Sequence, residues 1–368
     1  MTGNYHKIGD YISVIDNRNT DGKITRLMGI SIDKCYIPSV ANVIGTDLNN
    51  YKVIRKGQFS CSLMQVSRDQ RIPIAMYEDD APAIMSPAYV MFEVSRSEEL
   101  LPEYMELWFK RAEFDREASF YAVGGVRGSL DWEDFCKMEI PVPPVPEQQK
   151  IVREYKVITD RIRLLREINS NLEETALTIY KGWFVDFLPF GEQKPDDWQT
   201  LTLGDVAIMG AGGDRPEVCI DAKTADCSVP IYSNGIENDG LYGFTDTPKI
   251  TKESVTVSAR GTIGFVCLRT TPYVPIVRLV TLIPKEHITT AKYLFLYLKN
   301  MNILGTGSTQ QQLTVPDFQK TEIIMPPYTV INDFSRTISP LFNQKIENER
   351  EIECLLKLSS TVLCGVAL

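Results

Sequence analysis

Apolar residues recur at steps of three or four across residues 151–179: Ile151, Tyr155, Ile158, Ile162, Leu165, Ile168, Leu172, Ala176 and Ile179. Arg153, Lys156, Asp160, Arg161, Arg163, Arg166, Glu167, Glu173 and Glu174 fill the other faces. This period predicts one long helix with a single narrow apolar seam. Its lead-in is Pro141-Val142-Pro143-Pro144-Val145-Pro146-Glu147-Gln148-Gln149, and no proline interrupts it up to Trp183-Phe184-Val185-Asp186-Phe187. About thirty residues at a rise of about 1.5 Å make a rod of about 45 Å, and a stripe of that length needs a second helix to cover it.

The partner is predicted in the same chain. Leu313-Thr314-Val315-Pro316-Asp317-Phe318-Gln319-Lys320-Thr321-Glu322-Ile323-Ile324-Met325-Pro326-Pro327 aligns without a gap under Leu130-Asp131-Trp132-Glu133-Asp134-Phe135-Cys136-Lys137-Met138-Glu139-Ile140-Pro141-Val142-Pro143-Pro144. Leu, Asp-Phe, Lys, Glu-Ile and Pro-Pro coincide. At the same offset, Phe334, Ile338, Leu341, Leu355 and Val362 fall under Ile151, Tyr155, Ile158, Leu172 and Ile179, while Lys345 and Asn348 put polar groups on the second seam. Ile8-Gly9-Asp10 corresponds to Leu203-Gly204-Asp205, and residues 104–110 correspond to 293–299. The chain is a tandem duplication of one module, a globular part followed by a long helix, and not a solenoid of short repeats.

Outside the long helices the period changes. Residues 8–15, 52–63, 72–77 and 88–94 cluster or alternate β-formers, and residues 101–118 read as one helix with Leu101, Met105, Trp108 and Phe109 on one face. A glycine-rich stretch follows, Gly124-Gly125-Val126-Arg127-Gly128-Ser129. Residues 188–198 are polar with two prolines and read as a linker. The second half has a tight turn at Gly210-Ala211-Gly212-Gly213, strand-and-turn segments at 229–235 and 255–266, and a helix at 290–300. That helix precedes Gly305-Thr306-Gly307-Ser308-Thr309-Gln310-Gln311-Gln312, the positional counterpart of the first glycine-rich stretch. The fold class is α+β. Strand-rich globular domains at 1–146 and 188–328 alternate with long helices at 147–187 and 329–368.

The length of 368 residues suffices for two cores, and 43% apolar content is ordinary for a globular protein. No apolar run reaches membrane length and the first residues carry no apolar signal segment, so the expected compartment is the cytoplasm. Eight scattered cysteines without Cys-x-x-Cys, and two lone histidines, read as reduced thiols and argue against zinc or disulfides. A net charge of −9 argues against nonspecific coating of nucleic acid, but leaves room for sequence-specific contacts through local basic loops.

Taken together these residues resemble the specificity subunit of type I restriction-modification enzymes. The resemblance covers essentially the whole chain. It is carried by Pro143-Pro144-Val145-Pro146-Glu147-Gln148-Gln149-Lys150-Ile151-Val152 before the long helix, by Gly307-Ser308-Thr309-Gln310-Gln311-Gln312-Leu313-Thr314 before Asp317-Phe318, and by Leu203-Gly204-Asp205-Val206 after Trp198. The second helix departs from the pattern, with Pro326-Pro327-Tyr328-Thr329-Val330-Ile331 in place of a full Pro-Pro-x-x-Glu-Gln. The resemblance implies two target-recognition domains at opposite ends of an antiparallel coiled-coil helix pair, arranged with pseudo-twofold symmetry. Each would read half of a split site in double-stranded DNA, with the helices setting the gap. It also implies docking of two methyltransferase subunits on the outward polar faces, and a restriction/translocase subunit joining that core. No cofactor is expected on this chain; S-adenosylmethionine, Mg and ATP belong to the partners.

Base reading needs Arg or Lys toward guanine and Asn or Gln toward adenine. The candidates in the first domain are Arg68, Arg71, Lys52, Arg55, Lys56, Arg127 and Ser129. In the second they are Arg215, Asn234, Arg260, Gln310, Gln311 and Gln312, with Ser308 and Thr309 suited to phosphate. Two other classes compete. Met325-Pro326-Pro327-Tyr328 echoes the Asn/Asp-Pro-Pro-Tyr motif of N6-adenine methyltransferases, but Met325 cannot accept the amino hydrogens that motif binds. A coiled-coil scaffold without DNA reading would use the same seams. The sequence also lacks a phosphate-cradling Gly-x-x-x-x-Gly-Lys-Ser/Thr.

Overall fold

The computed structural model describes residues 5–39, 46–64, 66–122, 128–301, 303 and 312–366, and divides into two units, residues 1–165 with 350–368, and residues 166–349. In the first unit, β-branched and aromatic runs form strands β1 (Ile12–Ile15), β2 (Phe59–Cys61), β3 (Ile74–Met76) and β4 (Val90–Val94). They pair as an antiparallel sheet in the order β1-β4-β2-β3, with Phe59 opposite both Phe92 and Met76. The Phe59 and Phe92 rings lie parallel at 5.2 Å, and helices α1 (Pro102–Phe109) and α2 (Ala112–Tyr121) add Phe109 and Phe114 to this aromatic core.

The sequence predicts a single helix where α1 and α2 stand. The Lys34 ammonium, only 6% exposed, explains the break: it donates to the Phe109 carbonyl at the end of α1 and to Asp115 Oδ1 (2.8 Å) on α2. A cation at a helix C-terminus satisfies carbonyls that would otherwise be orphaned.

Helix α3 runs Val145–Phe184. Its start shows why the lead-in ends in Glu-Gln. Gln148 is fully buried; its Nε2 donates to the Glu99 and Pro143 carbonyls (both 2.7 Å), and its Oε1 accepts from the Leu101 N–H (2.9 Å) at the start of α1. The second unit repeats the sheet with β5 (Ala207–Ala211), β6 (Ser254–Val257), β7 (Val266–Arg269) and β8 (Val280–Pro284) in the order β5-β8-β6-β7. Helix α4 (Ala291–Asn300) packs on it, and α5 spans Tyr328–Gly365. Ile331, the counterpart of Gln148, is also fully buried, so the second module replaces a hydrogen-bonded clasp with an apolar one. Pro340, which sequence rules place at helix ends, lies inside α5 on its exposed side.

The duplication is visible inside each unit. A short ladder closes each globular part: Tyr5–Lys7 with Glu139–Pro141, and Gln199–Thr202 with Glu322–Met325. The Ile8 N–H donates to the Met138 carbonyl (2.8 Å), as Leu203 N–H does to Thr321 (2.9 Å). The matched Gly-Asp pairs gain a reason: a Cβ at Gly9 would stand 2.8 Å from Cys136 Cβ, and one at Gly204 3.3 Å from the Gln319 carbonyl oxygen.

Each unit pairs a stretch of α3 with one of α5, antiparallel. In the first, Ile151, Val152 and Tyr155 pack into the core that holds Leu363 and Val366, and Arg161 makes two bonds to Glu351 (2.6 and 3.0 Å). Ile158, Ile162 and Leu165 are buried as predicted. In the second, Ala176, Tyr180 and Phe184 meet Phe334, Ile338 and Phe342. Of the predicted seam, Ala176, Phe334, Ile338 and Asn348 are buried in this unit, but Ile168, Leu172, Ile179 and Leu341 are only half-buried, as Leu355 is in the first unit, and Asn169, Tyr180, Phe184 and Phe342 join the buried line beside them. A straight helix drifts about 20° per heptad from a strict seven-residue repeat, so the buried line moves off the residues that a fixed period selects.

Polar groups hold that line together. Asn348 Nδ2 donates to Asn169 Oδ1 (2.7 Å) and Gln344 Nε2 to Asn348 Oδ1 (2.8 Å), with the two asparagines 8% and 4% exposed. Glu173 accepts ion pairs from Lys345 and Lys299, both 2.8 Å; burial pushes its carboxyl up, but the two ammoniums outweigh this and leave it below the usual range. Asn169→Leu alone should cost about 1–3 kcal/mol, because Asn348 Nδ2 loses its acceptor while buried. The Asn169→Leu/Asn348→Leu double variant should regain most of that stability while relaxing the register. Urea titrations of the singles and the double check this, and additive singles below about 0.5 kcal/mol each would contradict the role assigned to the pair.

The expected linker, residues 188–198, is less free than its composition suggests. Trp198 is 5% exposed and packs its ring on Phe184, Phe187 and Phe190 at 5.1–5.7 Å.

Candidate nucleic-acid interface

The same turn leaves the sheet in both units and is tied at the same place. In the first, residues 62–73 connect β2 to β3, and the Leu130 N–H donates to the Leu63 carbonyl (2.9 Å). In the second, residues 258–265 connect β6 to β7, and the Leu313 N–H, at the matching repeat position, donates to the Ala259 carbonyl (3.0 Å). Each tie brings an arginine-bearing turn beside the residues just after a glycine-rich stretch. Arg127, Ser308, Thr309, Gln310 and Gln311 lie outside the described residues.

In the first unit this turn carries Arg68, on the short helix Val66–Asp69, and Arg71. Arg68 makes a two-point pair with Asp69 (2.7 and 3.0 Å), whose hydrogen bonds hold the Asp69 carboxyl below its usual range. Arg71 pairs with Asp33 (3.0 Å); both arginine side chains are more than half exposed. Such exposed pairs are weak and exchange readily for other anions. Ser129 is adjacent in sequence to the Leu130 tie. Lys56 stands on a different turn, paired with Asp80 (2.7 Å), which raises its pKa; Arg55 is exposed beside it. Lys52 does not fit base reading. Its side chain is 12% exposed and its ammonium donates to the Tyr89 carbonyl (2.8 Å). Phe120 (76% exposed) and Tyr121 (39%) extend α2 past residue 118, where the sequence places the end of that helix, and both stand out from the surface.

In the second unit Arg260 Nη2 donates to Gln312 Oε1 (3.3 Å). Asn234 joins the same frame, but not as a base reader: its Oδ1 accepts from the Ala259 N–H (2.7 Å) and its Nδ2 donates to the Val277 carbonyl (2.6 Å). Its amide is committed to two main-chain groups. Arg215 is exposed, and a hydrogen bond with Tyr242 raises its pKa.

The Met-Pro-Pro-Tyr echo is a strand-to-helix junction. Met325 is 5% exposed at the end of its strand, and Tyr328 opens α5 with its ring edge-on to His287 at 5.8 Å. Among the described residues, no three His, Cys, Asp or Glu side chains converge in a way that would hold a metal ion, and no helix is long and apolar enough to cross a membrane.

Residues 43–174 and 195–357, one stretch in each half, match the model of the type I restriction modification DNA specificity domain. The chain belongs to this family. A type I specificity subunit of Mycoplasma pneumoniae is 29% identical over 223 residues, and the specificity subunit of the type I restriction enzyme MjaIX of Methanocaldococcus jannaschii is 24% identical over 298. These matches take in 59% and 72% of this chain, and span 59% and 68% of the relatives' own lengths. The crystal structure of a type I restriction-modification S subunit from M. genitalium shares the fold, with a TM-score of 0.57 at 12% identity, covering 99% of this chain and 96% of that one. In this specificity-domain chain, then, both matched stretches take in one of the tied turns, residues 62–73 and 258–265.

Proposed function

We propose that this chain is the noncatalytic DNA-specificity subunit of a type I restriction-modification complex, each module reading one half of a split double-stranded site. The observation that carries this reading is the duplicated sheet with the same exposed turn anchored in the same way, once in each matched stretch. One scaffold used twice with different side chains, Arg68 and Arg71 against Arg260 and Gln312, suits a reader of two unlike half-sites. Two methyltransferase subunits supply the chemistry, with S-adenosylmethionine bound there. A restriction/translocase subunit uses Mg and ATP. The complex works in the cytoplasm.

The test is to reconstitute the chain with its methyltransferase partner and sequence the methylated positions in a randomised DNA library. A two-part motif with a fixed gap is expected. Methylation without any motif, or by a complex lacking this chain with the same motif, would refute the reading. Specific binding should also fall steeply with salt. With about six phosphates contacted, affinity drops by about 10³-fold between about 50 and 200 mM salt. A competition titration that stays flat over this interval would remove phosphate contact from the reading.

A further inference from the structure

The second module carries an exposed turn that sequence rules do not foresee. Ile276 and Leu279 are 1% and 2% exposed, while Val277 and Arg278 between them stand out, Val277 at 49%. The Leu279 N–H closes the turn on the Ile276 carbonyl (3.0 Å), and both central residues are left-handed, φ 52° at Val277 and 63° at Arg278. Two left-handed central residues define the turn usually made by Asn-Gly, and a β-branched residue there is a genuine outlier.

Three neighbours force this conformation. The Val277 and Arg278 N–H groups donate to the Gly213 and Gly212 carbonyls (both 2.9 Å), and the Gly212 N–H donates to Leu279 (2.8 Å). Gly212 allows the approach, since a Cβ there would stand 2.7 Å from the Ile276 backbone. Asn234 then binds the Val277 carbonyl and, with its other end, the Ala259 N–H beside Arg260. The strained turn and the Arg260 turn share one hydrogen-bonded frame.

Such strain persists only where its surroundings over-determine it, and it collects at functional sites. A phosphate contact does not demand a fixed side-chain direction, because phosphates line the whole duplex. The edge of one base does, and arginine is the side chain that grips guanine at two points. Resting on the DNA-specificity reading, we propose that Arg278 reads a guanine of the second module's half-site, with Asn234 as the positioning residue that fixes its turn.

The experiment uses the full chain in its methyltransferase complex and measures the methylation motif and affinity for Arg278→Lys and Arg278→Gly. Glycine accepts a left-handed backbone, so Arg278→Gly removes the side chain while relieving strain, and its melting temperature should rise or hold. The expected result is loss of preference for a guanine at one position of one half-site, by about 10- to 100-fold, with the other half-site unchanged. Arg278→Lys keeps the charge but not the rigid two-point fork, and should weaken the same preference while overall affinity changes little. Asn234→Ala should blur the same position, and should add nothing further in the Arg278→Gly background. An unchanged motif in Arg278→Gly, or a uniform loss of affinity that lysine fully restores, overturns the proposal. A wild-type complex without a two-part motif would instead refute the underlying reading.

Discussion

Phe334→Ala is expected to lower the unfolding free energy of the protein by about 3–5 kcal/mol, the range for emptying a buried phenylalanine site. Phe334 is fully buried, with its ring 4.8 Å from Phe184, 5.6 Å from Trp183 and 6.1 Å from Tyr180. All three partners lie on α3 and Phe334 on α5, so the change opens a cavity where the two helices meet in the second unit. Neighbours locked by ring-on-ring contacts cannot collapse to fill it, which puts the cost at the upper end. Leu341→Ala, on the same helix but half-buried, should cost well under half as much. Urea denaturation of the two variants decides it: a loss below about 1 kcal/mol for Phe334→Ala, or equal losses for both, would mean that these rings do not hold the helices together.

The second large effect concerns specificity and rests on the proposed function. Replacing residues 1–140 by the corresponding segment of a relative with a different target should change one half of the methylated motif and leave the other half and the gap intact. That segment contains the whole β1–β4 sheet, the Arg68 and Arg71 turn and the Leu130 tie, and none of the β5–β8 sheet. Specific sites commonly out-compete nonspecific DNA by about 10³-fold or more, so the preferred half-site should be replaced outright. Sequencing of methylated DNA from cells carrying the exchanged protein reads this directly. A motif altered in both halves, or in the gap alone, would break the assignment of one module to one half-site.

How much of this was legible in the sequence depends on whether the cause was local. The two long helices were legible because their periodicity runs for many turns and repeats at a constant offset. Even the departure at Tyr328 to Ile331 was visible, although only the buried Gln148 and Ile331 explain it. The sheet order was not legible: strands of three to five residues pair with distant partners, and nothing local says that β4 lies between β1 and β2. The break between α1 and α2 comes from Lys34, far away in the chain, and the Asn169–Asn348 contact is invisible to any count of apolar residues. At the candidate interface, arginine and asparagine types marked Arg68, Arg260 and Asn234. Geometry alone showed that the Asn234 amide is bonded to two main-chain groups, and it brought forward the exposed Arg278, on a turn with neither glycine nor asparagine to announce it.

The ladders that join the first and last strands of each globular part have a consequence for heredity. Because Tyr5–Lys7 lies beside Glu139–Pro141, and Gln199–Thr202 beside Glu322–Met325, the chain enters and leaves each part at neighbouring points. A part with adjoining ends can be cut out and grafted as a cassette, since it joins the rest of the chain at one place whatever lies between. On the proposed function, recombination between genes of this kind would hand a lineage a new target in one event, where point mutation would have to rebuild a reader one side chain at a time.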